Sequence, residues 1–319
     1  LGAFAESRLR IPTPSKSSPK NVAALVAEVI ENFKDQVADG TRIGLTIPAP
    51  VVHGRVPFIA NLHKSWAGLE ASKFFEDHLG RPVTLVNDAD AAGLACQDTT
   101  QALAEAVADR GVAHVALTGG SGGVALAEAL APLIAAQPEP VRCGIHLWFG
   151  DERFVAAGLT DRNDLLAADL VRAGVPEGNV HRLSGPEEGI GVEDAAARLA
   201  AELVAAGPEG ASFDVVHLGV GPDAPVCSIL PGHPAARVIG ADVVAVRSSP
   251  KPPPERVSLT FDALHRARCI MLAASGEGKA RAVHAGLGEP DAVRAPASCA
   301  RGLTTTWYID DAAAGRLEG

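Results

Sequence analysis

Three groups of residues in this 319-residue chain have the types and spacing to handle a charged small molecule. The first is Leu117–Gly123 (LTGGSGG), in which Gly119, Gly120, Ser121 and Gly122 follow an apolar run. Glycines between a strand and a helix let backbone N–H groups approach a phosphate, and the helix N-terminus adds favourable charge. Such a turn is common in α/β folds and identifies nothing alone. The second group is cationic: Arg153, Arg256 and Lys279. A guanidinium is a planar fork that suits phosphate oxygens. Arg256 equally suits an ion pair with Glu255 or Asp223, and Asp151 and Glu152 suit either orienting hydrogen bonds or a solvated face. The third is residues 218–235, LGVGPDAPVCSILPGHPA, a glycine-rich run that carries Asp223, Ala224-Pro225 and His233. His217 precedes it inside an apolar run and reads as a core or edge histidine.

Positioning these groups falls to alternating strands and helices. Ser18-Pro19 reads as a helix cap and first turn, with Val22, Leu25, Val26, Val29, Ile30 and Phe33 at helical spacing behind it. A second helix is expected over Leu69–Leu79, closed by Gly80 and Pro82. Strands are expected at Ile43–Ile47, Val51–Val56 (paired across His53-Gly54) and Val83–Val86. A second unit then begins. Ala102–Ala108 and Val124–Ala135 are helical, and strands fall at His114–Leu117, Ile145–Phe149, Val215–Leu218, Val243–Val246, Val257–Thr260 and Ile270–Ala273. The alternation predicts an α/β fold with a doubly wound, mainly parallel sheet, divided into residues 1–96 and 97–319.

Composition narrows the partners. A net charge of −10 argues against a nucleic-acid or anionic-membrane surface. No apolar run has the ~18 residues of a membrane helix, and the N-terminus lacks the pattern of a secretory signal. The chain starts with Leu1, and its one methionine is Met271, which reads as a front end without its start. Five scattered cysteines without a C-x-x-C read as buried free thiols of a reducing cytosol, and no metal site or cofactor is expected.

Residues 218–235 resemble the signature of 6-phosphogluconolactonases, roughly G-x-G-x-D-G-H-x-A-S-L-F-P-G-H-P. Gly219, Gly221, Asp223, Ser228, Leu230, Pro231, Gly232, His233 and Pro234 stand where that pattern wants them. The pattern's Gly-His pair is replaced by Ala224-Pro225. LTGGSGG, His146–Val155 (HLWFGDERFV), Asp161-Arg162-Asn163, Ser249–Leu259 (SPKPPPERVSL), Gly276–Lys279 and Thr306-Trp307 extend the likeness, in order, to the C-terminus. The resemblance implies the fold shared with glucosamine-6-phosphate deaminases. It also implies a sugar-phosphate substrate held by Gly119, Gly120, Ser121, Gly122, Arg153, Arg256 and Lys279, and hydrolysis of 6-phosphogluconolactone in the cytoplasm.

In that family the missing histidine is the expected proton acceptor. Lactone hydrolysis needs a water deprotonated as it attacks the carbonyl and a proton for the leaving ring oxygen, and a histidine suits both. Pro225 can do neither and lacks a backbone donor. Ala224 is strained if the loop requires positive φ there. Asp223 remains as a weak base, while His233 belongs to the ordinary pattern and compensates for nothing.

Residues 11–95 resemble the N-terminal part of polyphosphate glucokinases of the ROK sugar-kinase family, which have an actin-like fold. The carriers are Ile11–Pro14, Ile43–Pro50, Asn61-x-x-Lys64-Ser65-Trp66 and Gly80–Gly93 (GRPVTLVNDADAAG). The likeness implies a sugar hydrogen bond from Asn87 and a catalytic base in Asp88. The family's phosphate loops are absent, so Asp88 is expected to be vestigial. Two readings follow: an impaired lactonase, or a dead sugar-phosphate-binding protein or chimeric fragment. The sequence leaves the oligomeric state open.

Overall fold

The computed structural model describes residues 16–32, 43–47, 55–56, 63–87, 90–206 and 212–317. The chain divides into two compact units, Leu1–Asp90 and Ala91–Gly319.

In the first unit, α1 (Pro19–Asn32) starts where the Ser18-Pro19 signal places it, and Ser18 Oγ accepts from Asn21 N at 3.4 Å. Strand β1 (Ile43–Ile47) precedes α2 (Ala71–Leu79), which ends at Gly80 with φ +62°, the left-handed residue its sequence calls for. Strand β2 (Val83–Asn87) pairs parallel with β1, Ile47 opposite Asn87. Trp66, Phe75, Ala23, Val56 and Val83 form the small core. Val56 bridges Leu69 antiparallel, whereas the rest of the expected Val51–Val56 pair, Ile11–Pro14 and Asp88 lie outside the described residues.

The second unit opens with α3 (Asp90–Arg110) and β3 (Ala113–Leu117), then α4 (Gly120–Ala135), α5 (Glu139–Gly144), β4 (Ile145–Phe149) and β5 (Asp151–Arg153). Helices α6 (Ala167–Arg172) and α7 (Val192–Ala206) lead to β6 (Val215–Gly219), β7 (Val243–Val246), β8 (Arg256–Leu259) and α8 (Phe261–His265). Strand β9 (Cys269–Ala274), α9 (Ala280–Leu287), β10 (Thr304–Ile309) and α10 (Asp311–Ala314) complete it. Five strands form a parallel sheet in the order β10-β9-β6-β3-β4.

Alternate residues of these strands enter two cores, as the period-two geometry of a strand demands. Val115 and Leu117 pack with α3, α4 and α6, while Ala116, Val216 and Leu218 pack with α7, α8 and α9. Helices thus cover both faces, the doubly wound arrangement expected. Among the described residues no helix is long and apolar enough to cross a membrane.

Three expectations are corrected. The helix foreseen at Ala102–Ala108 runs unbroken from Asp90, through Cys96. Its apolar and polar residues are not segregated onto faces, so periodicity catches only the last turns. Val243–Val246 and the strand near Val257 leave the parallel sheet and join β5 in an antiparallel sheet, β5-β8-β7. The cysteines are free, but only Cys96 is buried; Cys143 is exposed, and Cys227, Cys269 and Cys299 are half-buried.

Candidate active site

The loops at the carboxyl ends of β3, β4, β6 and β9 meet with the antiparallel sheet. After β3 the chain turns through Thr118-Gly119 into α4. Thr118 Oγ1 accepts from Gly219 N at 3.0 Å, tying the exits of β3 and β6 together. Glycine is required twice here. Gly120 has φ +71°, and a Cβ on Gly119 would lie 2.1 Å from Asn163 Oδ1. Gly120, Ser121 and Gly122 are exposed in the first turn of α4, where backbone N–H groups lack intrahelical acceptors.

Asn163 couples this loop to β5. Its Nδ2 donates to Asp151 O at 2.8 Å. Glu152 is buried and receives backbone N–H groups from Arg153, Asn163 and Asp164 at 2.7, 2.8 and 2.8 Å. Burial pushes its carboxyl up to about 7, against those hydrogen bonds and the Arg162 charge. Arg162 is itself buried, with Nη2 2.7 Å from Asp164 Oδ2 and a further donation to Leu183 O at 2.7 Å. Asp151 is also buried and accepts from Ser228 Oγ at 2.6 Å. Of the two readings of Asp151 and Glu152, the structure selects the orienting one.

Strand pairing sets Arg153 opposite Arg256. Arg256 Nη1 lies 3.6 Å from Asp151 Oδ2, and its Nη2 donates to Lys251 O at 2.9 Å. Glu255 and Asp223 are not its partners: Glu255 pairs with Arg247, because successive residues of an extended chain point to opposite sides. Burial pulls the Arg256 guanidinium below its ordinary range; Asp151 opposes this and Arg153 adds to it. Arg153 donates from Nη1 to Asp161 O, yet its buried Nε has no acceptor among the described residues. Lys279 Nζ donates to Val220 O at 2.7 Å, and burial and Lys251 hold it below the usual lysine range. Lys251, in the Ser249–Leu259 motif, leaves no signal of a site in the sequence, because a lysine before three prolines reads as loop chemistry.

Position 225 lies beside one of these cations, Lys251. Pro225 is buried, and a Cβ on Gly221 would lie 2.6 Å from its Cγ and 3.9 Å from Lys251 Nζ. Ala224 is buried with φ +58°, so the strain conditional on a left-handed backbone is present. Asp223 is exposed and has no hydrogen-bond partner among the described residues. It lines a cavity of about 300 Å³ with Pro222, Ala224, Pro231, Arg281 and Arg294.

The other candidate residues fall elsewhere. His233 Nδ1 accepts from Ala235 N at 3.1 Å, capping a short helix, and its Nε2 lies 2.9 Å from Arg247 O. His217 is a core histidine, 2.8 Å from Thr99 Oγ1, and burial lowers its pKa to about 4. Asn87 ends β2 in the first unit. Among the described residues no group of three or more His, Cys, Asp or Glu is arranged to hold a metal.

Arg153 and Arg256 thus stand paired on the antiparallel sheet, Lys251 and Lys279 stand beside Val220-Gly221, and Asp151 is the close anionic partner of Arg256. Such an arrangement can hold a small polyanion, and the proline at position 225 carries no titratable group.

Comparison with known proteins agrees with this geometry. The family model for glucosamine-6-phosphate isomerases and 6-phosphogluconolactonase matches residues 87–307, beginning inside the Gly80–Gly93 segment. The chain is similar to the 6-phosphogluconolactonase of Streptomyces coelicolor, 43% identical over 230 residues that cover 67% of this chain and 86% of that protein. It is also similar to that of Mycobacterium tuberculosis, 40% identical over 225 residues, 68% of this chain and 90% of that protein. A crystal structure of 6-phosphogluconolactonase from Thermotoga maritima superposes with a TM-score of 0.60 at 25% identity, covering 71% of this chain and 97% of that one.

Proposed function

The chain belongs to the glucosamine-6-phosphate isomerase/6-phosphogluconolactonase family, and from that premise we propose that it is a 6-phosphogluconolactonase whose hydrolytic step is impaired. The observation that carries the reading is the pairing of a cation-rich phosphate cradle with a proline where the family's base belongs. Gly119, Gly120, Ser121 and Gly122 offer backbone donors at the head of α4. Arg153 brings an unsatisfied Nε, and Arg256 and Lys279 bring charge held by buried partners. Together they bind and orient the sugar phosphate with Lys251.

Hydrolysis then lacks its proton acceptor. Pro225 has no titratable group, and Asp223 is exposed and not held by any hydrogen bond among the described residues. Loss of a positioned general base costs roughly 10²- to 10⁴-fold. The reading as a binding protein without turnover is the limit of this defect, and the retained cations favour binding in either case. The site acts on a soluble metabolite in the cytoplasm, with no nucleic-acid or membrane partner.

The domain division is proposed at residues 1–96 and 97–319, with the first part a fragment of a ROK-type, actin-like sugar kinase. Its support is the GRPVTLVNDADAAG segment and the parallel β1–β2 pair with Asn87 at its end. Asp88 is then a remnant, and glucose with ATP or polyphosphate gives no glucose 6-phosphate; turnover abolished by Asp88→Ala would sink this assignment.

The central test is calorimetric titration with 6-phosphogluconate. Binding is expected, and Arg153→Ala weakens it by roughly 10- to 100-fold, the worth of about 1.5–3 kcal/mol for hydrogen bonds to a charged group. Equal binding by the variant removes the site assignment.

A further inference from the structure

Beyond Lys73 the chain uses arginine for every cation except two, Lys251 and Lys279. Both stand beside the loop that carries Pro225. A guanidinium supplies charge and hydrogen bonds, but it is always protonated and is no nucleophile. The two positions that remain lysine are therefore the two where the second unit has an amine.

The two amines differ. Lys279 Nζ is engaged by Val220 O at 2.7 Å. Lys251 is fixed through its backbone, with its N donating to Ser249 Oγ at 3.4 Å and its O accepting from Arg256 Nη2 at 2.9 Å. Its Nζ has no partner among the described residues. That free amine and the Pro225 ring border the same point above Gly221, at 3.9 and 2.6 Å. The side chain is exposed, so it can swing toward a bound molecule.

We propose that Lys251 is an acyl-acceptor site, its Nζ capturing the acyl group of an aldonolactone phosphate bound at the cation cluster. This rests on the sugar-phosphate reading above. In the step, the nitrogen lone pair attacks the lactone carbonyl carbon and a C–N bond forms. The ring C–O bond breaks, and the ring oxygen departs with the proton that the nitrogen loses. The product is an amide on Lys251 bearing the opened sugar acid, with no change of oxidation state. Water needs a base to make this attack, whereas an unprotonated amine needs none. With proline at 225, transfer to nitrogen competes with a hydrolysis that has lost its base.

The test incubates the full chain with freshly generated 6-phosphogluconolactone, followed by intact mass measurement and peptide mapping. One equivalent of lactone is expected on Lys251, suppressed by saturating 6-phosphogluconate and absent in Lys251→Arg. Equal labelling of the first-unit lysines Lys16, Lys20, Lys34, Lys64 and Lys73, or a single label that persists in Lys251→Arg, overturns the assignment. So does the absence of any adduct. Lactone consumption that Lys251→Arg abolishes without an adduct makes Lys251 a base and also overturns it. Calorimetry with 6-phosphogluconate on the same sample separates the two claims. Binding without acylation defeats only the acyl-acceptor site, and no binding defeats the sugar-phosphate reading.

Discussion

The two ends of the parallel sheet crowd ionisable groups together and resolve the crowding in opposite ways. At the carboxyl ends, the basic side chains of Arg153, Arg256, Lys251 and Lys279 gather, and Asp151, Glu152 and Asp164 orient backbone and arginine. Near the amino ends, His114 and His146 lie side by side on β3 and β4 with a ring-centroid distance of 5.1 Å. His146 Nδ1 sits 2.9 Å from His181 Nε2, Trp148 Nε1 donates to His114 Nδ1 at 3.1 Å, and Trp148 stacks on His181 at 3.5 Å. Burial and mutual repulsion lower His114 to about 4 and pull His146 down as well. One end gathers basic side chains against carboxylates and backbone carbonyls; the other keeps His114 and His146 neutral and uses them as packing.

The sharpest way to break this contrast is to put an imidazole at the charged end. Ala224→Gly with Pro225→His is expected to raise lactone hydrolysis by roughly 10²- to 10⁴-fold, the worth of a general base. The uncatalysed opening of the lactone is subtracted at each pH. The gain rises as the histidine deprotonates, near pH 6.5 if its surroundings leave it unperturbed. A double variant that binds 6-phosphogluconate yet stays at background shows that the cation cluster is not poised for hydrolysis, and the loss of the histidine is then not the defect.

How much of this was legible follows from the kind of signal each feature leaves. The glycine loop and the cations Arg153, Arg256 and Lys279 stand out as candidates because glycine, arginine and lysine in ordered motifs carry chemistry in their type. Their mutual arrangement does not, since it depends on β5 leaving the parallel sheet to pair with β8, a contact between residues about a hundred positions apart. Arg256's true partner, Asp151, was hidden for the same reason. Strand β10 went unread because three successive threonines break the apolar pattern. The unbroken helix through Cys96 was missed because its apolar residues do not keep to one face.

Within the charged end, Arg162 is a cation satisfied by the protein itself. Its side chain is fully buried between Asp164 and Glu152, at 2.7 and 3.6 Å. Arg162→Ala leaves both carboxylates buried without their cation, and a loss of about 3–5 kcal/mol is expected in urea unfolding. Arg153→Ala, by contrast, should cost less stability than affinity. Equal destabilisation by the two variants would erase the distinction.

At the histidine end the expected effect is smaller and pH-dependent. A histidine with a lowered folded pKa takes up its proton more readily when unfolded, so stability falls as pH drops below about 6.5 and continues to fall toward 4. His114, His146 and His217 all act in this direction. Glu152, raised to about 7, acts oppositely between about 4.5 and 7. Around His114 stand Asp214, Arg110, His146 and His181, of which Asp214 alone favours the protonated ring. Three groups against one give a net loss of stability from pH 7.5 to pH 5, read as a lower urea midpoint. His114→Gln should flatten that dependence; an unchanged slope would show that the cluster does not titrate as packing.

The smallest expected effect belongs to Ala224, and it fixes what the first variant means. A left-handed residue other than glycine costs about 1–2 kcal/mol, which Ala224→Gly relieves. The same change removes a buried methyl, worth about 0.8 kcal/mol, and adds about 0.4–1 kcal/mol of unfolded-chain entropy. The terms nearly cancel, so Ala224→Gly alone should shift stability by less than about 0.5 kcal/mol and leave lactone turnover where it is. The loop accepts alanine because burial of the methyl offsets the backbone strain. If the single variant gains more than about 1 kcal/mol, strain dominates at this turn, and part of any activity recovered by the double variant comes from relaxing the loop. If it is neutral, that recovery belongs to the imidazole.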